Sequence, residues 1–293
     1  MDCSDTPEGL LASAQSLVGP LTLVADRSWP HGVSVVVEVE TADGTALIVK
    51  QPRAVDKFNA ELHAYRHWAP ALDGNVPDLV AADRHTRVLV FSKMPGEIGD
   101  ESVSTFRAAG RLLRLLNGAA PPTSMLGFAG AYRVRFDTWV RRARPGLLDA
   151  AEVEFVAEQV WRLADFPDPA GVPCHRDWQP RNWLTAPDGS VAVIDFGNSR
   201  VGHWFQDFER MWWTEWRTGP ELGHAFFEGY GRTLSEDDRT QLRATSILWL
   251  LTTVVWADEV DDAAFCDHAR SQLRRFVGWA VQWCGWFRRA TAG

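Results

Sequence analysis

Apolar positions in this chain follow two spacings, and the change falls near residue 95. From Leu21 to Phe91 they come in short, often β-branched runs broken by turn residues; from Glu101 onward most recur at three- and four-residue steps. The first part predicts a short helix over Glu8–Val18, a strand starting at Leu21–Val24, and a hairpin. That hairpin runs Val33–Glu40, turns at Asp43-Gly44 and returns through Ala46–Lys50. Phe58, Leu62 and Tyr65 then fall at helical spacing, so a helix is expected over Asp56–Trp68, closed by Pro70 and Gly74-Asn75. A second hairpin follows, Leu79–Ala82 and Val88–Phe91, with a polar turn at Asp83–Thr86.

Pro95-Gly96 breaks the chain after that sheet. Helices are expected over Arg107–Asn117, Phe136–Arg144, Glu152–Ala164, Trp204–Trp216, Glu221–Tyr230, Glu236–Asp258 and Asp261–Phe287, with a Pro/Gly-rich loop over Gly118–Gly130. Loop and short strands interrupt the helices between Val172 and Gly197. The expectation is an α+β chain with a boundary near Ser92–Gly96. Residues 1–94 would be a small β-rich lobe with one main helix, and 95–293 a larger helical lobe.

Composition narrows the classes. At 293 residues the chain suits one large domain or two lobes, and 46% hydrophobic with 23% charged residues is ordinary for a globular protein. A net charge of −8 argues against nucleic acid as a partner, because no excess cation is left to neutralise phosphates. Ile247–Ala257 is the longest apolar run and is too short to span a bilayer. Cys3, Cys174, Cys266 and Cys284 form no metal-ligand spacing, and with the acidic N-terminus they point to the reducing cytoplasm. Only Lys50, Lys57 and Lys93 are lysine. That bias reads as a GC-rich bacterial coding sequence and makes the lysine at a strand end more notable.

The chemistry is concentrated in one stretch. Cys174-His175-Arg176-Asp177-Trp178-Gln179-Pro180-Arg181-Asn182 contains H-R-D-x-x-x-x-N; a turn at Pro187–Ser190 and the apolar strand Val191–Ile194 then lead into Asp195-Phe196-Gly197. Phosphoryl transfer needs a carboxylate beside the attacking hydroxyl and hard oxygen ligands for magnesium on the phosphates. Asp177 suits the first role, Asn182 and Asp195 the second. His175 reads as a brace for the loop. Lys50, followed by Glu61 on the next helix, is the arrangement that holds nucleotide phosphates in kinases. No G-x-G-x-x-G covers the phosphates; the corresponding stretch, Arg27–Ser34, offers Gly32 and Ser34 as backbone and hydroxyl donors, or is an ordinary turn. The absence of G-x-x-x-x-G-K-[ST] excludes a P-loop kinase.

Together, Lys50, Glu61, Met94-Pro95-Gly96, His175-x-Asp177…Asn182, Ile194-Asp195-Phe196-Gly197 and Asp207 resemble the aminoglycoside phosphotransferase/choline-kinase-like family of small-molecule kinases. The likeness runs from about Leu21 to about Phe287. It implies a protein-kinase-like bilobal fold, ATP or GTP with Mg2+ as cofactors, and transfer to an alcohol on a small molecule. By the same resemblance Asp177 is the base, Asn182 and Asp195 hold the metal, and Lys50, placed by Glu61, holds the phosphates. The base of the nucleotide would meet the backbone at Phe91, Ser92 and Met94. Asp207 is expected to be structural.

The acceptor is expected at the second lobe. Trp213, Glu215 and Trp216 cluster there with Trp212 and Glu209, a set that could stack on a cationic or sugar-like ligand or simply pack a core. Trp178 and Arg181 flank the catalytic residues; Arg181 would either neutralise transferring phosphate or face solvent. Only Asn198–Gln206 separates D-F-G from the next helix, with no A-P-E, which disfavours a protein kinase. The expected activity is phosphorylation of an antibiotic or similar natural product. Two alternatives stand beside it: a metabolic kinase of a small alcohol, amino alcohol or sugar, and a catalytically silent kinase-like binding protein.

Overall fold

A computed structural model describes residues 6–29 and 34–278. Helix α1 (Pro7–Val18) is capped by Thr6, whose hydroxyl accepts from the Gly9 amide, and Pro7 occupies its first turn, where no amide donor is needed. Three antiparallel strands follow: β1 (Leu21–Asp26), β2 (Ser34–Thr41) and β3 (Ala46–Pro52). Helix α2 (Val55–His67) crosses to β4 (Leu79–Asp83) and β5 (Val88–Ser92), giving a five-stranded sheet in the order β1-β2-β3-β5-β4.

Strand alternation decides which residue faces which layer. Val35, Val37, Val39, Leu47, Val49, Val88 and Val90 form one buried cluster with Leu10 and Ala14 of α1. Lys50 and Phe91 point the other way, toward the buried Glu61 and Tyr65 of α2. Phe58 and Leu62 are each 1% exposed, and burial on that scale contributes about 1.5–3 kcal/mol per side chain.

After the sheet, β6 (Glu97–Ile98) leads to α3 (Val103–Asn117), which begins four residues before the expected start because Ser102 caps it, its hydroxyl accepting from the Thr105 amide. Gly96 has φ +114°, and a Cβ there would lie 2.7 Å from the Thr185 carbonyl carbon, so the turn admits only glycine.

The stretch expected as a loop contains β7 (Thr123–Ser124) and the start of α4 (Phe128–Arg142), eight residues earlier than the apolar spacing suggested. The reason is non-local: the Asp168 carboxylate accepts from the Gly127 and Phe128 amides at 2.8 and 2.9 Å and caps the helix from forty residues away. Helix α5 (Ala150–Trp161) carries a capping box from Asp149 and Glu152. Strand β8 (Ala170–Cys174) pairs with β7, and β9 (Trp183–Thr185) and β10 (Val191–Val193) form a hairpin whose outer neighbour is β6.

The segment Trp204–Trp216, expected as one helix, is a 3-10 turn over Trp204–Asp207 followed by irregular turns and the short α6 (Glu215–Thr218). Every residue from Trp204 to Glu209 is buried, and the rings pack in several directions, Trp204 on Tyr230 and Phe208 on Trp216 and Phe226. Helices α7 (Pro220–Tyr230), α8 (Glu236–Glu259) and α9 (Ala263–Gly278) complete the described chain. No described helix is long and apolar enough to cross a membrane.

The chain forms two compact units whose limits differ from the lobe boundary expected at residue 94. The first unit extends to Pro121 and takes in Pro173–Val201, so the sheet and the catalytic segment share it; the second holds Pro122–Val172 and the chain from Gly202. Gly32, Cys3, Cys284 and the expected extension of the last helix to Phe287 lie outside the described residues.

Candidate active site

Lys50 lies on β3, the middle strand of the sheet, opposite Val36 on one side and Leu89 on the other. Its ammonium is 2.9 and 2.7 Å from the two oxygens of Glu61 and 2.7 Å from Oδ1 of Asp195. Burial works against the Lys50 charge, but the two carboxylates outweigh it and hold the ammonium well above the ordinary lysine range. Burial also pushes Asp195 upward, and Lys50 more than reverses this, so that carboxylate stays ionised. Glu61, 1% exposed, is pushed up to about 7 by burial, with Lys50 pulling the other way. Asp195 takes φ 65°, a left-handed backbone that aspartate tolerates better than most residues, and this swings its side chain to the lysine. Gly197 sits against the same three groups; a Cβ there would be 3.3 Å from Asp195 Oδ1.

The H-R-D-x-x-x-x-N loop follows β8. Arg176 also has positive φ, at 70°. His175 is fully buried: its Nε2 lies 3.0 Å from the Ile194 carbonyl, and its ring meets Phe196 and Trp178 edge-on. This ties the loop to the strand that delivers Asp195, the bracing role expected for it. Trp183 stacks its edge on Phe106 of α3, and Asn117 at the end of α3 donates to the Pro173 carbonyl at 2.7 Å.

The Asp177 carboxylate receives three side chains, all close in sequence. Gln179 donates to Oδ1; Arg181 Nη2 lies 3.0 Å from Oδ1 and 2.8 Å from Oδ2; Asn182 Nδ2 donates to Oδ2 at 3.0 Å and to the Asp177 carbonyl at 2.7 Å. Asn182 therefore turns its amide nitrogen to the loop and leaves Oδ1 without a protein donor among the described residues. Asp195 likewise keeps Oδ2 clear while Lys50 and the Gly197 amide use Oδ1. One amide oxygen and one carboxylate oxygen fit a hard divalent cation that takes its remaining ligands from phosphate and water. No group of three His, Cys, Asp or Glu suited to a metal exists among the described residues.

At the end of β5, Ser92 exchanges hydrogen bonds with Asp78, and the Lys93 amide donates to the Ala46 carbonyl. The Met94 amide makes no backbone hydrogen bond among the described residues, which leaves a donor at the sheet end. Phe91 is buried against Tyr65, with ring centroids 4.5 Å apart. Ser34 starts β2 opposite Pro52.

Three residues expected at the acceptor are spent on packing. Trp178 is 1% exposed, between His175 and Trp183. In the second unit Trp213 packs edge-on against Phe276, and Trp216 lies among Phe208, Phe226 and Phe227. These rings offer no open face, the core-packing alternative. Glu215 is half-buried and accepts from Thr214. Sequence reasoning missed Gln179 and Arg181 on Asp177, and Lys57 of α2 on Asn198 just after D-F-G. Lys57 stands four residues before Glu61, so helical spacing carried the signal for a shared face.

The phosphotransferase enzyme family matches the chain over residues 27–244. No curated protein is significantly similar in sequence. Among solved structures, the macrolide 2′-phosphotransferase of Brachybacterium faecium superposes with TM-score 0.65 at 20% identity, covering 91% of this chain and 98% of that one. A thermostable mutant of aminoglycoside phosphotransferase APH(4)-Ia, complexed with AMP-PNP and hygromycin B, gives TM-score 0.73 at 14% identity, covering 93% and 99%. A spectinomycin phosphotransferase holding ADP and spectinomycin gives 0.61 at 12%, covering 92% and 95%. At these identities the likeness establishes the fold.

Proposed function

We propose that this chain, which belongs to the phosphotransferase enzyme family and is a small-molecule kinase, transfers the γ-phosphoryl group of ATP or GTP to a hydroxyl of an antibiotic or related natural product. The observation that carries this reading is the convergence of Lys50, Glu61 and Asp195 in one ion cluster, with Asp177 and Asn182 joined on the loop tied to the same strand.

In this reading Lys50 binds the nucleotide phosphates and Glu61 keeps it in place. The Met94 amide, which has no backbone partner among the described residues, would donate to an acceptor on the nucleobase's edge. Asn182 Oδ1 and Asp195 Oδ2 are the oxygens that would hold Mg2+, which supplies charge neutralisation on the phosphates when bound. Asp177 orients the acceptor hydroxyl and takes its proton. The hydroxyl oxygen's lone pair forms the new bond to γ-phosphorus as the bond to the bridging oxygen breaks, and that electron pair leaves on the nucleoside diphosphate. The reaction belongs in the cytoplasm, where nucleoside triphosphates are available. The antibiotic part rests on the solved neighbours, whose acceptors are macrolide, hygromycin B and spectinomycin.

The test pairs binding with turnover. ATP or GTP with Mg2+ should raise the melting temperature, and a panel of hydroxylated antibiotics should reveal phosphate transfer. Asp177→Asn should keep the nucleotide-induced shift while losing about 10³-fold in kcat. Equal turnover by wild type and Asp177→Asn would remove the proposed base.

A further inference from the structure

Arg181 was open between two roles, and its position favours a third. It sits in the 3-10 turn Pro180–Asn182, whose backbone is held on both sides: the Gly99 amide donates to the Pro180 carbonyl at 3.2 Å, the Asn182 amide to the Gln179 carbonyl at 2.8 Å, and the Ile194 amide to the Asn182 carbonyl at 3.0 Å. From this anchored turn the guanidinium reaches back four residues and places Nη2 on both oxygens of Asp177. The Arg181 side chain is 43% exposed and that of Asp177 15%, so the cation stands on the solvent side of the carboxylate. An acceptor hydroxyl approaching Asp177 from solvent must come close to that cation.

The other charges of the first unit's cluster are matched elsewhere: Lys50 answers Glu61 and Asp195. Among the described side chains bonded to the Asp177 carboxylate, Arg181 brings the positive charge, while Gln179 and Asn182 are neutral donors. An unmatched aspartate would attract an ammonium group carried next to the attacking hydroxyl. A matched one does not, and the exposed guanidinium repels such an ammonium. We propose that Arg181 is a specificity-determining residue of the transfer site, selecting an acceptor hydroxyl whose neighbouring groups are neutral or anionic and discriminating against one flanked by an ammonium. This rests on the transferase reading above and narrows its acceptor class.

The experiment measures kcat/KM for matched acceptors: polyamino antibiotics, the same molecules after N-acetylation, and a macrolide. Each is assayed with wild type, Arg181→Gln and Arg181→Lys, and hydrolysis of MgATP by water is recorded in parallel. Taking the ratio of free to acetylated acceptor, then comparing that ratio between enzymes, cancels the bulk of the acetyl group. Arg181→Gln should raise the ratio by about 10-fold or more, while Arg181→Lys, which keeps the charge, stays near wild type. Melting temperature and nucleotide KM should change little, because an ion pair this exposed contributes little to stability. A ratio unchanged in Arg181→Gln, or a wild type that favours the ammonium-flanked hydroxyl, overturns the proposal. A wild type that neither hydrolyses MgATP nor phosphorylates any acceptor overturns instead the transferase reading, so the two failures are distinct.

Discussion

Lys50 in the first unit and His203 in the second are both removed from water, at 8% and 6% exposure, and they end in opposite charge states. Burial disfavours the cation in both cases. Lys50 has two carboxylates within 3 Å and keeps its proton with a pKa above the ordinary value. His203 is pushed down to about 4, first by burial; Asp238 pulls upward, but Arg232, itself paired with Asp238 at 3.1 Å, pushes down again. The difference teaches that burial alone does not set a charge state. A carboxylate counts only to the extent that another cation has not already claimed it. The first unit therefore maintains a charged cluster fit for phosphate, and the second a neutral ring set against Phe205.

The largest expected effect comes from removing the shared cation. Lys50→Met leaves Glu61 buried without a counter-charge and Asp195 with one fewer donor. We expect a loss of about 3 kcal/mol in denaturant unfolding, at the lower end of the range for broken buried pairs because Asp195 is 44% exposed. The nucleotide-induced melting shift should vanish as well. A variant as stable as wild type would break the contrast with His203.

The second effect appears in acid. The folded His203 binds its proton more weakly than the ordinary value of 6.5, so its contribution is intact above about pH 6.5 and is lost as the pH falls toward about 4. A shift of that size corresponds to about 3 kcal/mol across the window. His203→Gln should flatten this part of the stability–pH curve; parallel curves for the two proteins would show that the ring does not titrate this way. The smallest effect tests how tightly the charged cluster is packed. Gly197→Ala places a methyl 3.3 Å from Asp195 Oδ1 and 3.5 Å from Glu61 Oε2. It should cost about 1 kcal/mol in unfolding and weaken the nucleotide-induced melting shift; a neutral result would mean the cluster is loose.

Much of the site was legible because its parts are close in sequence. Asp177 and Asn182 are five positions apart, so H-R-D-x-x-x-x-N already put them in one loop; that Gln179 and Arg181 also reach the Asp177 carboxylate is seen only in the structure. Lys50 and Glu61 are eleven residues apart on a strand and the next helix, which hairpin and helix periodicity could place. The tryptophan-rich segment was not legible. Its aromatic spacing looked helical, yet the rings pack in several directions, Trp213 on Phe276 and Trp216 on Phe226, and the backbone follows them. The start of α4 was hidden for a related reason, since Asp168 supplies its cap from a distant stretch of chain.

The sequence by itself determined the sheet-then-helix order, the H-R-D-x-x-x-x-N and D-F-G segments, and the residue types they carry. These depend on periodicity and short-range spacing, which the chain carries locally. Tertiary structure alone decided that Asp195 meets Lys50 across 145 positions, that Trp178, Trp213 and Trp216 are core, and that Arg181 stands on Asp177 rather than free in solvent. Those outcomes turn on desolvation and on which partner reaches a charge first, and both are properties of the folded surroundings.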